Sequence, residues 1–256
     1  MSLPRAKKTY GQNFLVDHSV VGKIIAAADI KSGDAVLEIG PGTGVLTQAL
    51  VDAGALVTAV EADRDLIGPL KEKFGDAINL IHGDILNLPA LPVLPANYKL
   101  VANIPYNITS DILFRFLTQE PRPSRMVLMV QREVADRIAA KPPETSLLSI
   151  VCQTYADVKK IVNVPKGAFR PIPKVDSAVI RLDLIPSTES FQPETVIKLA
   201  KIGFSHPRKQ LHGNLAAAHV ASSEAVKEAL CKLGLPETAR AENLRVQDWA
   251  TLRDLL

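Results

Sequence analysis

At 256 residues the chain is long enough for one large domain and one small one. Its 47% hydrophobic and 22% charged residues are ordinary soluble-globular composition, and no apolar run approaches the roughly 20 residues of a membrane-spanning helix. The net charge of +3 is too small to name a partner by itself.

Its distribution says more. Residues 1–119 hold 10 Lys+Arg against 12 Asp+Glu, whereas residues 120–256 hold 20 against 15. A basic tail with Arg5, Lys7 and Lys8 lies ahead of the acidic half. The pattern fits a polyanionic partner and equally an ordinary solvated surface. The tail lacks the apolar stretch of a secretory signal. Cys152 and Cys231 sit in apolar or helical patterns. They are expected to be reduced core thiols of a cytoplasmic protein, not a disulfide or a metal pair.

In chain order, Ala35–Gly40 is a short apolar run ending in glycine, as in a buried parallel strand, and a helix follows with Val45, Leu46, Ala49 and Leu50 on one face. A second strand over Ala55–Val60 ends at Glu61, and Leu66, Ile67, Leu70 and Phe74 mark the next helix. Strands at Asn79–Ile81, Leu100–Ile104 and Met126–Val130 alternate with helices around Ile112–Leu117 and from about Glu133. Such alternation predicts a parallel sheet covered on both faces. Val158–Val164 and Ala178–Leu184 lack a crossover helix between them, so they are expected as an antiparallel pair at one sheet edge, joined by a Pro-rich loop. Composition shifts near Pro186-Ser187-Thr188. Beyond it, 196–204, 210–219, 223–233 and 246–255 all read as helices, with Ser223 as an N-cap and Gly234 just past the C-terminus of the third. The expected domains are therefore 1–186 and a small all-α domain at 187–256.

Gly40-Pro41-Gly42-Thr43-Gly44 follows a strand and opens a helix, where backbone approaches a ligand closely and free N–H groups point outward. Glu61 stands at the end of the next strand, placed to accept hydrogen bonds from both hydroxyls of a ribose. This layout suits S-adenosylmethionine or a nicotinamide dinucleotide. Two details favour the former: the pattern is E-x-G-x-G-x-G with Glu38 on the strand, and Asp84 and Asn103 recur at later strand ends. Asp84 is a candidate for the adenine amino group of such a cofactor. No residue suited to hydride chemistry stands out among the five histidines.

Asn103-Ile104-Pro105-Tyr106 is the most specific signal. The exocyclic amine of adenine is a poor nucleophile because its lone pair is delocalised into the ring. Two acceptors on its hydrogens, the Asn103 side-chain oxygen and the Ile104 carbonyl, favour a pyramidal nitrogen. Pro105 biases Ile104 toward extended backbone, and Tyr106 offers a ring on which an unstacked base lies.

With these residues the sequence closely resembles the ribosomal RNA small-subunit adenine N6,N6-dimethyltransferases (the KsgA type). The likeness spans nearly the whole chain, through Tyr10–Leu15, Glu38–Gly44, Asn103–Asn107, Val130–Val134, Pro173–Val179, Arg208-Lys209 and Arg240–Leu244. It implies a Rossmann-like class I methyltransferase sheet with a small all-α C-terminal domain that binds RNA. It implies S-adenosylmethionine as cofactor, contacted by Asn13, Leu15, Gly40, Gly42, Glu61, Asp84 and Asn103. It implies catalytic roles for Asn103, Ile104, Pro105 and Tyr106, with Phe169 closing the target-base pocket opposite Tyr106. The expected substrate is a pair of adjacent adenosines in a hairpin loop near the 3′ end of small-subunit rRNA, in an immature subunit, each dimethylated by a monomeric enzyme. Arg5, Lys7 and Lys8, and Arg208 and Lys209 at the start of a C-terminal helix, are expected to contact phosphates. The sequence departs from the family at 141–149, which is short and lacks the usual arginine, and at Pro207, which stands for one of two paired arginines.

Overall fold

The computed structural model describes residues 6–88, 92–186 and 192–256. Arg5 and the composition shift at Ser187-Thr188 lie outside them. The chain divides into two compact units: Met1–Ala135 with Asp157–Leu184, and Asp136–Ala156 with Ile185–Leu256.

The first unit holds the sheet. Its strands are β1 (Phe14–Leu15), β2 (Ala35–Ile39), β3 (Leu56–Glu61), β4 (Ile78–His82), β5 (Lys99–Asn103), β6 (Arg125–Gln131), β7 (Ala156–Val164), β8 (Phe169–Arg170) and β9 (Ser177–Leu184). Seven of them form one sheet in the order β4-β3-β2-β5-β6-β9-β7. β4, β3, β2, β5 and β6 pair in parallel, and β9 runs antiparallel to β6. Leu37, Leu100, Val101, Ala102, Met126 and Leu128 are all fully or almost fully buried, as expected of strands covered on both faces. The two late strands are neighbours at the edge, as the missing crossover predicts, with β9 lying between β6 and β7.

The helices of this unit are α1 (His18–Ala28), α2 (Val45–Asp52), α3 (Arg64–Phe74) and α4 (Thr109–Thr118), and α5 (Arg132–Ala139) follows β6. Asp17 caps α1, accepting from the backbone N–H groups of Ser19 and Val20, and Val20, Val21, Ile24, Ala27 and Ala28 form its buried stripe. Sequence reading passed over this helix. The Pro-rich loop also holds more structure than expected, because β8 pairs antiparallel with β1, setting Phe169 opposite Leu15.

The second unit is helical among its described residues: α6 (Leu147–Tyr155), α7 (Pro193–Gly203), α8 (Leu211–Ala217), α9 (Ser223–Lys232) and α10 (Val246–Leu255). Its core surrounds Trp249, which is fully buried with Val196, Leu211, Leu230 and Leu252. Ile150 of α6 belongs to this core, and Thr145 Oγ1 donates to the Glu242 and Leu244 carbonyls. Residues 136–156, expected in the catalytic domain, therefore pack with the helical unit. Two smaller expectations change as well. Ser222 rather than Ser223 caps α9. Cys231 is exposed, whereas Cys152 is a buried core thiol.

Candidate active site

Parallel register decides where the polar residues meet. Ile39 of β2 lies opposite Val60 of β3 and Ala102 of β5, so the next residue on each strand, Gly40, Glu61 and Asn103, arrives at one sheet edge. Asp84 follows β4 in the same region, since His82 pairs with Glu61. A cavity of about 470 Å³ opens there. Its walls include Asn13, Leu15, Gly40, Gly42, Glu61, Asp84, Asn103, Ile104, Pro105 and Tyr106.

The glycine turn is shaped for close approach. Gly40 and Gly42 have φ of 66° and 60°, a region that side-chain-bearing residues rarely adopt. A Cβ on Gly40 meets open cavity, while one on Gly42 comes within 3.1 Å of the Phe14 ring. The Gly42 N–H donates to Glu61 Oε2 at 3.1 Å, and the Asp63 N–H donates to Glu61 Oε1 at 2.8 Å. The Ala62 N–H adds a third bond, and the Glu61 carboxylate keeps part of its acceptor capacity for a ligand. Asp84 stands exposed at the cavity and accepts from the Leu86 N–H and from Asn87 Nδ2, which fixes its carboxylate.

Glu38 is the unusual member. It lines the cavity wall yet is 1% exposed, with the Thr47 hydroxyl beside its carboxyl. Burial pushes its carboxyl up to about 8, with the Thr47 hydroxyl and Lys73 opposing the effect and the Glu61 charge adding to it. Burial raises Glu61 too. The Glu61 carboxyl at the cavity fits a ligand that carries hydroxyl or ammonium donors.

Asn103 Nδ2 donates to the Asn13 carbonyl at 3.2 Å, which orients the amide and leaves Oδ1 as its acceptor. Pro105 has φ −56° and ψ 135°, and the Tyr106 hydroxyl pairs with Ser177 Oγ at 2.7 Å, fixing the ring at the wall. Phe169 stands elsewhere. It is 1% exposed, packed in the core with Phe14, Leu15, Val164 and Val179, and it does not line the cavity. Pairing of β8 with β1 turns it inward. Lys7 likewise is no free cation, since its Nζ pairs with Asp63 at 2.5 Å and Asp65 at 2.6 Å. Of Lys8 only the backbone is described, as the first residue of a short 3-10 helix, Lys8–Tyr10. Arg208 and Lys209 are exposed in the second unit, in a turn before α8 rather than on a helix.

Sequence reading missed Asp63 and Gln12. The carboxylate of Asp63 is 2% exposed, accepts from Lys7 and Gln12, and also caps α3. Burial pushes its carboxyl up, but those bonds outweigh it and hold the group below the usual range. Its capping role two residues past Glu61 was the only local signal.

A family model for ribosomal RNA adenine dimethylase matches residues 4–256. The chain belongs to that family. It is 42% identical to a ribosomal RNA small subunit methyltransferase A of Dehalococcoides mccartyi, over 97% of this chain and 87% of the relative. It is 43% identical to the protein of the same name in Thermosynechococcus vestitus, over 98% and 97%. Among solved structures, the 23S rRNA methyltransferase ErmE superposes with a TM-score of 0.82 at 27% identity, covering 95% of this chain and 99% of that one. A dimethyladenosine transferase from Plasmodium falciparum gives 0.78 at 29%, covering 93% and 95%. The chain is thus an rRNA adenine methyltransferase on a class I sheet, and its cofactor is S-adenosylmethionine.

The buried carboxyl of Glu38 has a measurable consequence. Between its usual 4.5 and about 8, the folded protein keeps a proton that the unfolded chain loses. Stability therefore falls as pH rises through that window, by at most about 1.4 kcal/mol per pH unit from this group, and is level above it. In Glu38→Gln that fall is expected to be shallower. Urea unfolding of the cofactor-free protein at pH 5, 6.5 and 8 checks it, and parallel profiles for the two proteins count against a protonated Glu38.

Proposed function

We propose that this enzyme dimethylates the N6 amino groups of two adjacent adenosines in a hairpin loop near the 3′ end of small-subunit rRNA, within an immature small subunit. The observation that carries the reading is the orientation of Asn103: one of its amide N–H groups donates to the Asn13 carbonyl, which fixes Nδ2 there and leaves Oδ1 as the acceptor for a substrate amine. When bound, the cofactor supplies a methyl group already activated on a sulfonium, so what is left to the protein is placement. Gly40 and Gly42 bring backbone close, Glu61 accepts from ribose hydroxyls with its remaining acceptor capacity, and Asp84 faces the adenine end. Asn103 Oδ1 and the Ile104 carbonyl accept the two hydrogens of the target amine, turning its lone pair out of conjugation. Tyr106, tethered to Ser177, stacks on the flipped base. No side chain has to remove the proton, because the nitrogen becomes acidic once alkylated. Small-subunit specificity is supported by the Dehalococcoides and Thermosynechococcus relatives, each over 40% identical and named for the small subunit.

RNA grip is assigned to Arg208 and Lys209. Asn214 Nδ2 donates to the Gly203 carbonyl at 2.6 Å and the His206 carbonyl at 3.1 Å, pinning the turn that presents both cations. The direct test of the substrate is to incubate the enzyme with labelled cofactor and undermethylated small subunits and to map the modified nucleotides. Label anywhere other than paired adenosines near the 3′ end overturns the assignment.

Asn103→Ala is expected to slow single-turnover methyl transfer by about 100-fold or more while weakening cofactor binding far less. Equal losses in rate and affinity would reduce Asn103 to a cofactor ligand. Neutralising Arg208 and Lys209 together is expected to flatten the salt dependence of RNA binding by roughly 0.7–0.9 log units for each phosphate no longer neutralised. Cofactor affinity is expected to stay unchanged. Filter binding across a salt series measures the slope, and an unaltered slope places the phosphate contacts on other residues.

A further inference from the structure

The segment from Lys7 to Leu15 is a strap whose residues Thr9–Leu15 form one wall of the cavity. Its C-terminal end is held by ordinary backbone pairing: β1 on β8, and the Val16 N–H on the Ala168 carbonyl at 2.9 Å. At its N-terminal end Lys7 Nζ reaches two carboxylates of the unit, buried Asp63 and exposed Asp65, the latter at 2.6 Å. Asp63 Oδ1 accepts from Lys7 Nζ, and Oδ2 accepts from Gln12 Nε2 at 2.8 Å. The strap is also closed on itself, since the Lys7 N–H donates to Gln12 Oε1 at 2.7 Å and the Gln12 N–H to the Lys7 carbonyl at 3.4 Å. On its other side the Asp63 backbone N–H donates to Glu61 Oε1 at 2.8 Å, and Glu61 Oε2 in turn accepts from Gly42. A continuous chain of hydrogen bonds therefore runs from the strap through Asp63 and Glu61 to the glycine turn.

We propose that Asp63 is a positioning residue for the cofactor, clamping the 7–15 strap through Lys7 and Gln12 while aiming Glu61. This rests on the reading of the cavity as the cofactor site. Lys7 is then a member of the clamp rather than a phosphate contact. The strap's grip is partly ionic, and Lys7 is about a third exposed, so salt weakens it. The competing account is that Asp63 serves only as the N-cap of α3, a role in which Lys7 and Gln12 are incidental.

Lys7→Met separates the two accounts, because it removes the clamp's cation and leaves the cap intact. Calorimetric titration of S-adenosylmethionine into RNA-free protein is expected to show affinity lowered about tenfold, with the thermal midpoint little changed. At saturating cofactor, kcat is expected to stay within about twofold while KM rises. Asp63→Asn keeps a side chain that caps a helix and is expected to give the same KM effect, non-additive with Lys7→Met. The salt dependence of cofactor affinity is expected to shrink in both variants. Unchanged affinity in Lys7→Met, or additive losses in the double variant, overturns the clamp. Glu61→Ala distinguishes this failure from failure of the site reading. If Glu61→Ala loses cofactor affinity and Lys7→Met does not, only the clamp is wrong. If neither loses it, the cavity is not the cofactor site.

Discussion

Because β2 hydrogen-bonds to β3 on one side and to β5 on the other, all in one direction, their carboxyl ends lie side by side. Residues far apart in sequence then share a wall without any loop having to bring them together. Gly40, Glu61 and Asn103 each follow or end a strand at this edge, and Asp84 follows β4 two residues past its last pairing. An antiparallel arrangement scatters such residues between two edges. β9, the strand antiparallel to β6, contributes only its first residue to the neighbourhood, Ser177 against the Tyr106 hydroxyl. The register sets the geometry of the site, and the side chains add its chemistry.

That geometry gathers carboxyl groups. Glu38, Glu61 and Asp63 are all at most 5% exposed, and the fold treats each differently. Asp63 is satisfied by an ammonium, an amide and the Asp65 backbone N–H, so it stays ionised despite burial. Glu61 has the backbone N–H groups of Asp63, Gly42 and Ala62, which offset only part of its desolvation. Glu38 has the Thr47 hydroxyl and the more distant Lys73, and burial still pushes its carboxyl up to about 8.

The sequence made the sheet legible because buried parallel strands are short apolar runs and their punctuation is glycine or a polar residue. It also made the strand-end residues legible, since Gly40, Glu61, Asp84 and Asn103 fall where the runs stop. What it hid depends on partners remote in sequence. Phe169 looks like a loop aromatic free to face a base, until β8 pairs with β1 and turns it into the core. Lys7 looks like a tail cation, until Asp63 and Asp65 arrive from 56 and 58 residues away. α6 is apolar enough to belong to either core, and nothing local says that Ile150 joins Trp249. α1 was a different kind of miss, because Asp17 and the Val20, Val21, Ile24 spacing did carry the signal.

On the proposed reading, the acidic wall also bears on how RNA is handled. A phosphate backbone near Glu61 and Asp84 meets like charge, whereas an unstacked adenine is neutral and loses nothing to it. The same carboxylates that favour a cationic cofactor thus admit the base and repel its backbone. Affinity for the polyanion has to come from cations that no carboxylate has already taken. Lys7 fails that condition, and Arg132, bonded to Asp176, meets it only in part. Arg208 and Lys209 are exposed on a turn that Asn214 holds from below. A pinned turn loses less freedom on contact than a free tail does, so each phosphate bond it makes keeps more of its energy.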